Sequence, residues 1–389
     1  MNFILFDDDS RDQLLPLTFT RPVADIRVGI LSIREKWECL LACETSSKTQ
    51  EYLAEKFPIA FTIDTDNYWI NGSVCPDTGL VEAVKALEPG NALVSGETLI
   101  AVNSGNGKSI SYVMKNEWHS PLFKINSCWD IFSLNGKAIE ADFALLTKGR
   151  KSGTLSKTNR VICPENVFLE EGARVECSVL NASTGVIYIG KDAEIMEGSL
   201  VRGPFALCEH ATLKLGAKIY GPTTIGPYSK VGGEVNNSVL FAYSNKGHDG
   251  FLGNAVIGEW CNLGADTNNS NLKNNYAQVK LWNYPLGRFV NTGLTFCGLI
   301  MGDHSKCGIN TMFNTGTVVG VYANIFGSGF PRNFVPDFSW GGAQGFTTYK
   351  LEDAFEVARL VMARRNVEFS TADQGILQKV FELTEKYRK

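Results

Sequence analysis

Between Ser244 and Gly258 the chain reads SNKGHDGFLGNAVIG, and His248 in this stretch is one of only four histidines in 389 residues. An imidazole titrates near neutral pH, so a histidine beside a substrate can accept a proton as a general base. The competing reading is a loop residue without chemistry. Asp249 is placed to orient such a ring, and Asn245 is a candidate donor to a developing oxyanion. Other constellations are weak. A zinc site built from His210, His248 and His304 would need spacings of about 5 or 18 residues to bring the rings together, and none occurs. His304, in MGDHSKCG, reads as a corner residue, and no Ser/His/Asp or Cys/His arrangement stands out.

The elements that must hold His248 announce themselves by a period of six. Ile189, Ile195, Val201, Leu207, Leu213, Ile219, Ile225 and Val231 recur without a miss, and Ala193, Ser199, Phe205, Ala211, Ala217, Thr223 and Ser229 follow four residues behind. Neither a helix nor a long strand has this period. Short flat strands joined by tight corners do, with three hexapeptides making one coil of 18 residues in a prism-shaped β-solenoid. The clock resumes at Met301, Cys307, Phe313, Val319 and Ile325, while Ile257 and Leu263 keep the phase between the two runs. Val161 and Val167 place the start near residue 158. Two segments, Gly232 to Phe251 and Gly264 to Arg288, break the rhythm and are expected as expelled loops that carry function.

Residues 1–155 read as a separate α/β domain, residues 156–335 as the solenoid and residues 336–389 as a helical segment. NFILF is a short buried strand, GILSIREKWECLLA a helix and NALVSGETLIAV a strand pair. Leu351, Ala354, Phe355, Ala358, Leu360 and Val361 mark one amphipathic helix, and Ser370 or Thr371 caps a second. The pair is expected to cover an open solenoid end or a neighbouring subunit. A net charge of −4 with no basic run longer than two residues argues against nucleic acid as the main partner. No apolar run is long enough for a membrane span, and the N-terminus does not look like a signal peptide, so a cytoplasmic location is expected. Ten cysteines without a CxxC pair are expected as free thiols.

The segment SNKGHDGFLGNAVIGEWCNLGADTNNSNLKN resembles the acetyltransferase half of the bifunctional UDP-N-acetylglucosamine pyrophosphorylase/glucosamine-1-phosphate N-acetyltransferase family. That family carries a KxGH-x3-LG-x3-IG-x3-NIGAGT-x2-N pattern, matched here by Lys246, His248, Leu252, Gly253, Ile257, Gly258, Leu263, Gly264, Ala265, Thr267 and Asn271 with small spacing changes. GPFA at Gly203 to Ala206 is similar too. The resemblance implies a left-handed parallel β-helix, a homotrimer with sites between subunits, and acetyl transfer from acetyl-CoA to the amine of a sugar phosphate. It implies His248 as general base and Asn271 in the substrate site, with Asn245, Lys246, Lys273, Lys280 and Arg332 as contacts to sugar phosphate or coenzyme A. The arginine that follows GPFA in the family is missing from LCEHATL, and Phe251 replaces a tyrosine, so the acyl acceptor is open.

LLPLTFTRPVADIRVG resembles the opening signature of sugar-1-phosphate nucleotidyltransferases, a Rossmann-like fold. The Gly-rich loop is replaced by DDDSRDQL, and Val23 stands in place of the signature lysine. This resemblance implies Arg11, Arg21 and Arg27 as phosphate contacts and Glu97, in VSGE, as a ligand for Mg2+. Three readings follow. The first is acetyl-CoA-dependent N-acetylation of an amino-sugar phosphate with a divergent nucleotidyltransferase domain attached. The second is nucleotide-sugar synthesis with the solenoid as a trimer scaffold, and the third is a non-catalytic nucleotide-sugar-binding regulator.

Overall fold

A computed structural model describes residues 1–62 and 64–388. The N-terminal sheet comprises β1 (Asn2–Phe6), β2 (Ser46–Lys48), β3 (Asn67–Asn71), β4 (Asn91–Ser95), β5 (Thr98–Asn103) and β6 (Met114–Glu117), in spatial order β2-β1-β3-β5-β4-β6. β1 runs parallel to β2 and β3, whereas β5 is antiparallel to β3 and β4. Alternation along β1 divides its side chains between two cores. Ile4 and Phe6 join Trp69 and Val102 on one face, and Phe3 and Leu5 join Tyr68 and Ile70 on the other. The helices are α1 (Ser10–Gln13), α2 (Ile33–Leu41), α3 (Thr78–Lys85), α4 (Cys128–Ser133) and α5 (Asn135–Thr147). α2 begins at a capping box between Ser32 and Glu35. Its Lys36 meets Asp142 of α5, whose carboxylate also accepts from the Ile30 and Leu31 amides.

Parallel strands of two to four residues then build three sheets of six, nine and ten strands, the last including an antiparallel closing strand. This is the β-solenoid that the clock predicts. Each regular coil advances 18 residues, as from Ile189 to Leu207 to Ile225 in one sheet. The clock residues from Ile189 to Val231 are all buried in the interior, and the small residues behind them are fully buried at the corners. One corner is unusual. Asp192, His210, Tyr228, Tyr243, Trp260, His304, Tyr322 and Phe338 all adopt positive φ, a region that side chains of this bulk rarely occupy. Seven of the eight are rings, stacked in order along the solenoid with centroids 4.1 to 6.2 Å apart. His304 is therefore a corner residue, as its sequence context suggests.

The first interruption is not an expelled loop. Strands at Glu234–Asn236, Val239–Leu240 and Asn245–Lys246 continue the three sheets in shortened coils, with Val235, Leu240 and Lys246 at interior positions. The second interruption does leave the solenoid, as a hairpin of Lys280–Asn283 with Arg288–Asn291. Its contacts are structural. Tyr284 packs edge-on against Phe19 and donates to Asp337, and Asn283 donates to Gln13.

The C-terminal helices are α6 (Leu351–Ala363) and α7 (Thr371–Leu383), the latter capped by Ser370. Ala354, Ala358 and Met362 of α6 and Ile376, Leu377 and Val380 of α7 share one hydrophobic cluster with Trp260, Tyr322 and Phe338 of the ring column and with the N-terminal core. The helices thus cover the flank of the solenoid. Leu360, expected on the apolar stripe, is exposed instead. Among the described residues no helix is long and apolar enough to cross a membrane.

Candidate active site

His248 follows the strand Asn245–Lys246, whose alternation sends one side chain out and the next in. Lys230 pairs with Asn245, Asn245 with Asn262, and Asn262 with Lys306, which makes a ladder on the outer face of one sheet. The inner ladder reads Val231, Lys246, Leu263, Cys307, so a lysine occupies a position that hydrophobic residues fill in the neighbouring coils. Lys246 is 1% exposed. Its ammonium donates to the carbonyls of Gly232 at 3.1 Å, His248 at 2.7 Å and Asp249 at 3.2 Å. Burial pushes its pKa down to about 8, against the opposing pull of the Asp249 and Asp266 carboxylates. All three ammonium hydrogens are therefore committed, two to the loop that carries His248 and one to Gly232 of the preceding coil. Lys246 is not a phosphate contact, because its charge does not reach the surface. It positions the His248 loop from below. Gly250 closes that loop at φ +112, where a Cβ would run into the Thr267 carbonyl.

The His248 side chain is exposed and lines a cavity of about 390 Å³ with Lys214, Lys230, Asn245, Asn262 and backbone at Gly264. A second cavity of about 410 Å³ adjoins it and shares Lys230, Asn245 and Asn262; Lys306, Arg364 and Arg365 complete its basic lining. Arg365 lies within 3.2 Å of the Asn245 amide oxygen and so ties α6 to the outer ladder. Burial also pushes Lys306 down to about 8. Lys230 is lowered by burial and then by Arg365, Lys214 and Arg364.

Asn245 is thus the expected residue that lines the cavity with His248. Asp249 forms no hydrogen bond or ion pair with the His248 ring among the described residues, so it does not orient it here; its backbone carbonyl serves Lys246 instead. Asn271 donates to Asn254 at 2.8 Å and lies beside Gly253, outside the His248 cavity. Lys273 reaches the Gln278 carbonyl, Lys280 sits on the projecting hairpin, and Arg332 is exposed beyond the cavity. Lys230, Lys306, Arg364 and Arg365 were missed by sequence reasoning. The parity of the clock carried a signal for two of them, since Lys230 and Lys306 each stand one residue before an interior position.

In the N-terminal domain the signature cations are all engaged. Arg21 is buried against Asp303 of the solenoid, with Glu259 3.4 Å away and Thr20 donating to the same Asp303 carboxylate. Arg11 pairs with Asp12 and donates to the Thr18 carbonyl and the Tyr52 hydroxyl. Arg27 pairs with Glu35 and reaches the Ile30 carbonyl. These contacts engage the side chains to which the signature assigns phosphate. Asp8, in the stretch that replaces the Gly-rich loop, accepts from Ser10 and Asn71 and pairs with Lys124 at 3.1 Å. Glu97 is exposed at the β4–β5 turn. Among the described residues no three His, Cys, Asp or Glu side chains are grouped as metal ligands, so Glu97 stands as a single carboxylate toward the implied Mg2+.

Residues 3–151 match the family model described as sugar nucleotidyl transferase. A bifunctional sugar-1-phosphate nucleotidylyltransferase/acetyltransferase of Sulfurisphaera tokodaii is 28% identical over 162 residues, 41% of this chain and 39% of that protein. Over that stretch the chain is similar to a bifunctional nucleotidylyltransferase/acetyltransferase. A second relative, the bifunctional protein GlmU of Thermus thermophilus, is 30% identical over 146 residues, 31% of this chain and 32% of its own length. The chain thus spans about two fifths or less of these relatives. Among solved structures, the UDP-N-acetylglucosamine acyltransferase of Francisella novicida aligns at 12% identity over 59% of this chain and 88% of that one, with a TM-score of 0.26, too low to support an argument.

Proposed function

We propose that the β-helix is an acetyl-CoA-dependent N-acetyltransferase acting on an amino-sugar phosphate, with His248 as general base. The carrying observation is an exposed imidazole in a cavity whose loop is fixed from inside the solenoid by Lys246. The acceptor amine attacks the thioester carbonyl carbon of acetyl-CoA, and His248 takes the proton that the amine loses. The tetrahedral oxyanion then collapses, the C–S bond breaks, and the departing thiolate takes that proton from the His248 imidazolium to leave as the thiol. The Asn245 amide is the side-chain candidate for oxyanion support, and the basic groups beside it favour a phosphorylated acceptor. The relatives' bifunctional names support the same reading. A cytoplasmic homotrimer belongs to this proposal; its assembly surface would include the apolar face at Ile162, Leu200 and Tyr220, where Leu200 is 51% exposed. The test is thiol release from acetyl-CoA across a panel of amino-sugar phosphates. His248→Ala is expected to lower acceptor-dependent turnover about 10²- to 10⁴-fold; full turnover in that variant would remove His248 from the mechanism.

A second reading, nucleotide-sugar synthesis by the N-terminal domain, rests on the family match over residues 3–151. Magnesium-dependent pyrophosphate release from a nucleoside triphosphate and a sugar 1-phosphate would support it. The same domain binding a nucleotide-sugar without turnover would instead favour a regulatory role.

A further inference from the structure

Lys230, Lys306, Arg364 and Arg365 gather around one cavity. Four cations from two elements line it, and no carboxylate does. Lys230 and Lys306 stand at the two ends of the outer ladder, three strand spacings apart, or about 14 Å. Arg364 and Arg365 enter from the C-terminal end of α6. Arginines there offset the negative end of a helix, but that accounts for neither their place in the cavity lining nor the lysines opposite. Burial disfavours the charge on Lys306, whose ammonium donates to the His304 carbonyl at 2.9 Å and lies 5.1 Å from the Tyr322 ring centroid, with no carboxylate in the cavity lining. Such an arrangement is costly without a counter-charge.

We propose that this cavity binds a small molecule carrying two or more phosphoryl groups, clamped between the outer ladder and α6. A monophosphate supplies roughly 1.5 to 2 negative charges near neutral pH, too few for four cations spread over this distance. The Tyr243 and Trp260 rings in the lining stack on each other at 4.1 Å, so they offer edges to the ligand. Two sources share this chemistry. One is the phosphorylated arm of an acyl donor whose thioester lies in the adjoining His248 cavity; the other is a nucleotide-sugar held independently of acyl transfer. The site itself requires no acyl transfer.

Calorimetric titration with inorganic tripolyphosphate, pyrophosphate and phosphate tests it. Affinity is expected to fall in that order. Lys306→Met and, separately, the double variant Arg364→Gln/Arg365→Gln are each expected to weaken pyrophosphate binding at least 10-fold, whereas His248→Ala leaves it within 2-fold. The arginines sit on the surface of a helix end, so the double variant remains informative if Lys306→Met fails to fold. Displacement of pyrophosphate by coenzyme A identifies the donor as the source, and displacement by a nucleotide-sugar identifies the other. Absence of pyrophosphate binding to the wild-type protein, or equal binding in folded variants, overturns the proposal. Loss of acyl transfer in His248→Ala with pyrophosphate binding intact separates this site from the general-base assignment.

Discussion

The N-terminal signature and the basic cleft beside His248 both hold sets of basic residues, yet the two regions treat charge in opposite ways. Arg21 is enclosed by Asp303 and Glu259, Arg11 by Asp12, Arg27 by Glu35, and Lys124 by Asp8. The chain itself supplies these anions, from the N-terminal domain for Arg11, Arg27 and Lys124 and from the solenoid for Arg21. At the cleft, Lys230, Lys306, Arg364 and Arg365 face one another without a carboxylate in the lining. A basic residue therefore means little until its counter-ion is found. Where the chain supplies the counter-ion the residue holds the fold together, and where it does not, a ligand is the natural partner.

Substitutions that remove one side of each arrangement sharpen this contrast. Asp303→Asn leaves Arg21 buried beside only Glu259 and is expected to cost about 3–5 kcal/mol, read by urea denaturation. A loss below about 1 kcal/mol would mean that Arg21 is solvated and that the signature remains open to a nucleotide. Lys246→Met keeps bulk in the interior ladder but deprives three carbonyls of their donor, with an expected loss of about 1–3 kcal/mol and reduced acyl transfer.

The pH dependence of Lys306 gives a third test. Its folded pKa near 8 lies below the unfolded value of about 10.4, so between these values the unfolded chain binds more protons and stability rises with pH. Below about pH 8 both states are charged and the slope vanishes. Lys306→Met is expected to remove about 1–3 kcal/mol of that rise, measured by denaturation at pH 7.5 and 10. The smallest effect belongs to Arg364→Gln/Arg365→Gln, which relieves repulsion at Lys230 and is expected to change stability by no more than about 0.5 kcal/mol. A large destabilisation there would assign the arginines to the fold and break the contrast.

The solenoid was legible because a fixed interior ladder imposes a fixed period, and the Ser370 cap because a hydroxyl oxygen followed by an acid three residues on satisfies a helix start. Lys246 was misread by its type. Counting six from Leu240 puts it inside, but a lysine suggests the surface until its carbonyl partners are known. Arg21 was misread because its partner lies 282 residues away, a distance no local pattern reports. The basic cavity needed α6 docked across the outer ladder, and a repeat period says nothing about where a later helix will settle.

The column of stacked rings also sets where this chain can vary in length. From interior residue to corner ring the interval is three residues in every coil, as at Ile225 and Tyr228, Leu240 and Tyr243, Ile257 and Trp260, or Met301 and His304. The coils themselves run from 15 residues (225 to 240) to 44 (257 to 301). Every addition or deletion has been absorbed at the other two corners. One edge of the prism is thus closed to insertions while the rest tolerates them, so coil lengths can drift across evolution and the face presented to α6 stays in register.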